Sequence, residues 1–383
     1  MNLNELLTNE ELRRHEFPVV RERIFLGHAG VCALPRRVVE AMTEYIRQAG
    51  GDNQESIIFP ALLTKGRALA AQLLGCAAEE IAFVGPTSLA LSFFASGLRF
   101  RRGDNILVHF DDYPSNVYPW MALASQGVEV RLMNTRGLGV IRPRDVMGQV
   151  DENTRLVALA SSHFISGYRI DHAAIGKYLR ERGILFCVDG IQTVGALPTT
   201  VEHIDMLAAD AHKWLLGPSG AGLMYVRREV QPRLNPPIYG WHNVKCPDFV
   251  SQEQMVLRDD ARKYEAGTHN LPGLVGLVAA MELITEIGVD AISHELLRKR
   301  AWLIPELQAK GYMVFNADAP QETGSGITSF FRPDRDMTAL HEKLTQAKIV
   351  THLRTDRSRK HYIRVSPHFY NTDVELEKML GML

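Results

Sequence analysis

The feature that most constrains this fold is a rhythm of short apolar runs and amphipathic stretches that ends, at one place, in charge. Residues 81–84, 105–110, 128–133, 155–160, 184–188 and 222–226 read as strands, and stretches such as 173–182 between them read as helices. Strand–helix alternation predicts an α/β fold with a mostly parallel sheet. In such sheets ligands bind beyond the C-terminal ends of the strands. The run 184–188 stops at Asp189, with Gln192 three residues on, and His212-Lys213 follow inside Asp210-Ala211-His212-Lys213-Trp214-Leu215-Leu216-Gly217-Pro218. A carboxylate at a strand end and an amine after the next strand are thereby aimed at one rim.

Beyond residue 274 the pattern changes. A long helical stretch (274–287) leads to a helix (290–308), strands (312–315, 326–331), a helix (337–347), a strand (362–365) and a last helix (372–383). This predicts a smaller α+β domain over 276–383, a large domain over 21–275, and a segment 1–20 packing on the small domain or on a partner subunit. Of the 383 residues, 46% are apolar and 23% charged, as in ordinary soluble proteins. The net charge of −1 argues against a nucleic-acid partner. No run approaches the ~18 apolar residues of a membrane helix, and the first residues are polar, so a cytoplasmic protein with no membrane association is expected. The cysteines Cys32, Cys76, Cys187 and Cys246 lack metal-ligand spacing and read as reduced thiols, with no metal implied.

The acid and amine suit one cofactor. A lysine forms a Schiff base with the aldehyde of pyridoxal 5'-phosphate (PLP), and a carboxylate keeps its pyridine nitrogen protonated, so that the ring accepts electrons from a carbanion. Taken alone, Lys213 reads as a solvated lysine and Asp189 as a helix cap; the combination favours the cofactor. Gly85-Pro86-Thr87-Ser88 follows the run 81–84 and opens an apolar helix. A helix N-terminus offers free N–H groups to a phosphate.

Three further stretches carry a resemblance: Asp112-Tyr113-Pro114-Ser115-Asn116-Val117-Tyr118-Pro119-Trp120, Tyr264-Glu265-Ala266-Gly267-Thr268, and Arg364-Val365-Ser366 leading to Tyr370-Asn371-Thr372. With the Lys213 block, they make the chain resemble the class V aminotransferase family of fold-type I PLP enzymes. Cysteine desulfurases, selenocysteine lyases, kynureninase and isopenicillin N epimerase belong to that family. The resemblance implies a large domain with a mostly parallel sheet plus a smaller C-terminal α+β domain. It gives Lys213 the Schiff base and the Cα proton, Asp189 the pyridine nitrogen, and Gln192 the phenolic oxygen. Thr87, Ser88 and His212 fall to the phosphate. Tyr113 takes the place of a histidine that stacks on the ring; otherwise it is a turn aromatic. His163 is the candidate for a second contact to the phenolic oxygen; otherwise it is a packed histidine. Thr268 implies a homodimer with shared sites, because in relatives this threonine reaches the phosphate of the other subunit. Arg364 would hold the substrate carboxylate, and His28 sits where relatives carry a substrate-loop Asn or Asp.

The chain also departs from its relatives. Asp210 stands where many carry a phosphate-binding serine; a carboxylate is repelled there, so it should turn to a backbone group. Desulfurases carry their nucleophilic cysteine in the stretch before Arg364, but residues 350–361 contain none, and Cys246 is the one conceivable substitute. Arg354, Arg357, Arg359 and Lys360 in that stretch read as a solvated loop or as a receptor for an acidic substrate side chain. The expected function is a PLP enzyme acting at the α-carbon of a small amino acid, by transamination. C–S β-elimination or epimerisation on the same scaffold is the alternative, and persulfide-based desulfurase activity is disfavoured. A non-catalytic PLP-binding regulator would need a DNA-binding or partner module, for which the segment before the first motif is too short.

Overall fold

A computed structural model describes residues 1–56 and 60–383. After a two-residue strand β1 (Ile24–Phe25) come β2 (Ile81–Phe83), β3 (Asn105–His109), β4 (Glu129–Met133), β5 (Thr154–Ala160), β6 (Leu185–Asp189), β7 (Met206–Asp210) and β8 (Gly222–Val226). These seven form one sheet in the order β2-β8-β7-β6-β5-β3-β4, in which β8 runs antiparallel to both neighbours and the other pairings are parallel. β9 (Met313–Val314), β10 (Thr328–Phe331), β12 (His352–Thr355) and β13 (His361–Val365) make a second, antiparallel sheet in the order β12-β13-β10-β9. β11 (Ile349–Val350) pairs in parallel with β1. The α/β class expected from the alternation is the observed one.

A sheet covered by helices on both faces needs apolar side chains on both sides of each strand. β6 shows this directly. Phe186 and Val188 join a core with Leu207 and Leu277, while Leu185 and Cys187 join the opposite core with Ile106, Phe94 and Trp120. The helix Leu271–Ile287 is buried along most of its length, and Arg36–Ala49 and Ala61–Leu74 pack on it. The first residues dock at the end of the chain. Phe17 stacks on Tyr370 with ring centroids 3.9 Å apart, and Arg13 Nη1 lies 2.8 Å from Glu375 Oε1.

Four strands lie outside the runs read as strands: the two-residue β1 and β11, and β7 and β12. β7 reads Met-Leu-Ala-Ala-Asp, with no β-branched residue, yet it fills a central, fully buried position. Burial, rather than propensity, makes it a strand. β12 lies in the basic stretch expected to be a loop; its pairing with β13 supplies the reason. Among the described residues no helix is long and apolar enough to cross a membrane.

Candidate active site

The C-terminal ends of the large sheet open onto a cleft of about 440 Å³, closed on one side by residues of β12 and β13. Asp189 is the last residue of β6, Lys213 follows β7, and Thr87 opens the helix Thr87–Gly97 after β2. Eight of the residues singled out in the sequence line this cleft: Thr87, Ser88, Tyr113, Asp189, Gln192, His212, Lys213 and Arg364. Ser115 and Arg354 line it as well.

Lys213 is buried, its Nζ 5.5 Å from the centroid of the Tyr113 ring. Burial lowers its pKa to about 8 against the pull of Asp189, and Arg364 and Arg354 push the same way as burial. Asp189 is buried too, and burial raises its pKa. One of its oxygens accepts from the Ile191 N–H at 3.1 Å, and among the described residues the carboxylate forms no ion pair. Asp112 holds the loop that carries Tyr113: its Oδ2 accepts from Asn116 Nδ2 (2.9 Å) and from the Ala160 N–H (3.1 Å). Burial, and then the Asp189 charge, raise Asp112 to about 7.

The remaining polar groups of this wall are tied down. Gln192 accepts from Trp214 Nε1 at 2.8 Å and donates to the Ala29 carbonyl at 3.2 Å. Thr87 Oγ1 accepts from the Asp210 N–H at 2.9 Å, and Ser88 Oγ lies 2.7 Å from Ser115 Oγ. Ser115 was missed in the sequence; the signal was a hydroxyl two residues past Tyr113, in the turn that Pro114 opens. Asp210 turns away from the cleft. Its carboxylate accepts from the Gly220 N–H at 3.2 Å and lies 2.9 Å from His212 Nδ1, as the repulsion argument required.

Three candidates lie elsewhere. His28 is fully buried, with Nδ1 2.9 Å from the Ser366 carbonyl and Nε2 2.7 Å from the Tyr370 hydroxyl; burial lowers its pKa to about 3. It ties chain segments together and does not line the cleft, where its neighbours Ala29 and Gly30 form the rim. His163 has Nε2 2.9 Å from the Asp111 carbonyl, and its Nδ1 accepts from the Ser166 N–H at 3.1 Å. With both ring nitrogens engaged it is a packed histidine, and Phe164 takes the rim position. Thr268 is exposed and lines a separate cavity of about 190 Å³ with Leu89 and Ile238. Its motif is anchored from beneath by Glu265, which accepts from Arg67 Nη2 (2.6 Å) and the Phe83 N–H (2.7 Å).

The opposite wall is cationic. Arg364 is 1% exposed; its Nη1 donates to the Phe164 carbonyl at 2.6 Å, while Nε and Nη2 are buried without a partner. Of the basic stretch, Arg354 is on β12 and faces the cleft, which corrects the solvated-loop expectation for it. Arg357 pairs with Asp111 at 2.8 Å, Lys360 covers the Phe331 ring, and Arg359 is exposed. Among the described residues no cysteine lines the cleft. Burial raises Cys32 to about 12, and the Cys246 thiol is 3.3 Å from the Val250 carbonyl.

A carboxylate free of ion pairs, a buried amine and a hydroxyl-bearing helix N-terminus are the donors that a pyridine nitrogen, an aldehyde and a phosphate require, so the residues present fit PLP. Comparison with known proteins agrees. A probable cysteine desulfurase of Methanothermobacter thermautotrophicus is 31% identical over 98% of this chain and 97% of its own. An uncharacterized aminotransferase, YcbU, of Bacillus subtilis is 26% identical over 96% and 95%. The apo structure of a cysteine desulfurase from Thermococcus onnurineus NA1 superposes with a TM-score of 0.87 at 26% identity, covering 97% and 96%. The family model for aminotransferase class V matches residues 24–379, and the chain belongs to that family of PLP-dependent enzymes.

Proposed function

We propose that this enzyme labilises the Cα–H bond of a small amino acid with Lys213 as the base and transfers its amino group, a transamination. One observation carries the reading. Lys213 and Asp189 share a cleft with Arg364, which keeps a buried Nε–Nη2 edge without a partner. When bound, PLP supplies an aldehyde that captures amines and a ring that accepts electrons from Cα. Asp189 is assigned to the pyridine nitrogen, Gln192 to the phenolic oxygen, Tyr113 to one ring face, and Thr87, Ser88 and His212 to the phosphate.

The chain's own groups do the rest. The free edge of Arg364 matches both oxygens of an α-carboxylate, which fixes the direction of the Cα–H bond. Lys213, brought by burial to about 8, gives up its proton more readily than an exposed lysine and takes the Cα proton at Nζ. Where Nζ returns the proton decides the product. Thr268 is assigned to the partner subunit's phosphate in a homodimer, a role that suits its exposure outside its own cleft.

The names of the relatives favour a second reading, a C–S lyase. A version that uses a cysteine persulfide lacks its thiol, since residues 350–361 contain no cysteine. Product stoichiometry separates the two. With amino acid and no keto acid acceptor, transamination yields one keto acid per site and stops, whereas a lyase releases keto acid, ammonia and the side-chain fragment continuously. Lys213→Ala should lower turnover by about 10²–10⁴-fold and abolish borohydride fixation of the cofactor to the chain. Wild-type turnover, or undiminished fixation, in that variant would sink the assignment.

A further inference from the structure

The cleft is unbalanced in charge. Among the described residues its lining carries Lys213, Arg354 and Arg364 against one carboxylate, Asp189. A buried cation without a counter-charge costs several kcal/mol, so a pocket that keeps one is matched to an anion it binds. Arg364 accounts for one anion. With Nη1 on the Phe164 carbonyl, its Nε–Nη2 edge takes both oxygens of one carboxylate and needs no help.

Arg354 is then left over. It is half-buried; among the described residues its side chain makes no hydrogen bond or ion pair, and its Nε is buried without a partner. The strand register fixes where it stands. His352 is opposite Arg364, and Arg354 is two residues along β12, opposite Tyr362, on the same face. Such diagonal neighbours are about 7–8 Å apart at the backbone, a separation two flexible arginines span around a short molecule charged at both ends. His352 stands beside this position with Nδ1 also buried and without a partner. Its ring packs into the glycine-lined rim; a Cβ on Gly30 would lie 2.3 Å from it. The phosphate-competent groups, Thr87, Ser88 and His212, belong to segments that follow the large sheet's strands, not to this wall.

We propose that the substrate is a short amino acid whose side chain ends in an acid group, held by Arg354 with His352 beside it, while Arg364 holds the α-carboxylate. This rests on the reading of Arg364 above and names the substrate class. The PLP-loaded enzyme is given pairs matched in size, aspartate against asparagine and glutamate against glutamine, and kcat/KM is compared. Binding of succinate and of butyrate, which carry no amine, is measured alongside by calorimetry. The acid member of each pair should be preferred by roughly 10²-fold. Arg354→Gln should erase that preference and weaken succinate far more than butyrate, whereas Arg364→Gln should depress both members of each pair together. Equal turnover of acid and amide by the wild type overturns the proposal, as does an Arg354→Gln variant that depresses both alike. If no amino acid is turned over but succinate still outbinds butyrate through Arg354, the acid pocket stands and the proposed reaction falls.

Discussion

The two walls of the cleft are built on different terms. On the wall from the large sheet most polar groups have a protein partner: Gln192 with Trp214 and Ala29, Thr87 with the Asp210 N–H, Asp210 with Gly220. On the wall from β12 and β13, Arg364 and Arg354 keep nitrogens that nothing in the described chain satisfies. The first wall is finished by folding, and the second is finished by a ligand. Unsatisfied buried charge is a cost the remainder of the fold must carry, so it marks the surface where binding energy is recovered.

The comparison can be broken most sharply at Asp189. Asparagine there keeps the shape and removes a buried carboxylate. Activity should fall by roughly 10²–10³-fold. The apoprotein should unfold at an equal or higher denaturant concentration, because burial already disfavours that charge. Full activity in the variant would mean that Asp189 is merely architectural. Gly30→Ala probes the other wall. The new Cβ would lie 2.3 Å from the His352 ring and drive it into the cleft. KM for the preferred substrate should rise by roughly tenfold, while a denaturation curve shifts by no more than about 1–3 kcal/mol. An unchanged KM would show that His352 does not shape the substrate wall.

The smallest effect joins the two walls through Lys213. Burial first, and the two arginines after it, hold the amine at about 8, below its usual value. The protonated form is the disfavoured one, so free amine is lost as pH falls through about 8 and gained above it. The rate at which an amine reagent labels apoprotein Lys213 should therefore rise through about pH 8. Removing the charge of Arg354 as glutamine should move that midpoint upward, because a like charge has been taken away. A midpoint that stays put would separate Arg354 electrostatically from Lys213.

The same contrast governs what could be read from sequence. The large-sheet wall was legible because its chemistry is local: an acid ends an apolar run, a hydroxyl pair opens a helix, and a His-Lys pair follows a strand. A strand before the His-Lys pair is expected, but its residues do not stand out, because Met-Leu-Ala-Ala-Asp carries little strand propensity and becomes β7 by burial between β6 and β8. Arg354 is visible as a cation, but its direction depends on register with β13, and a shift of one residue would have turned it outward. That His28 and His163 point away from the cleft is hidden in the sequence for a related reason. A histidine beside a cleft looks the same in sequence whether its ring faces the ligand or a carbonyl, and here the Ser366 and Asp111 carbonyls take them.

The pairing of β1 with β11, together with the bridge between Gly27 and Ser366, has a consequence for how the molecule is made. The segment that carries the glycine rim leaves the ribosome more than 300 residues ahead of its partners. At about 5–20 residues per second, the nascent chain waits on the order of tens of seconds with that edge open. The large sheet, whose strands follow one another closely, can assemble in the meantime. The substrate wall is a post-translational event by geometry alone, so a chain stalled short of residue 366 would present its amine and its acid to solvent with nothing yet to choose what reaches them.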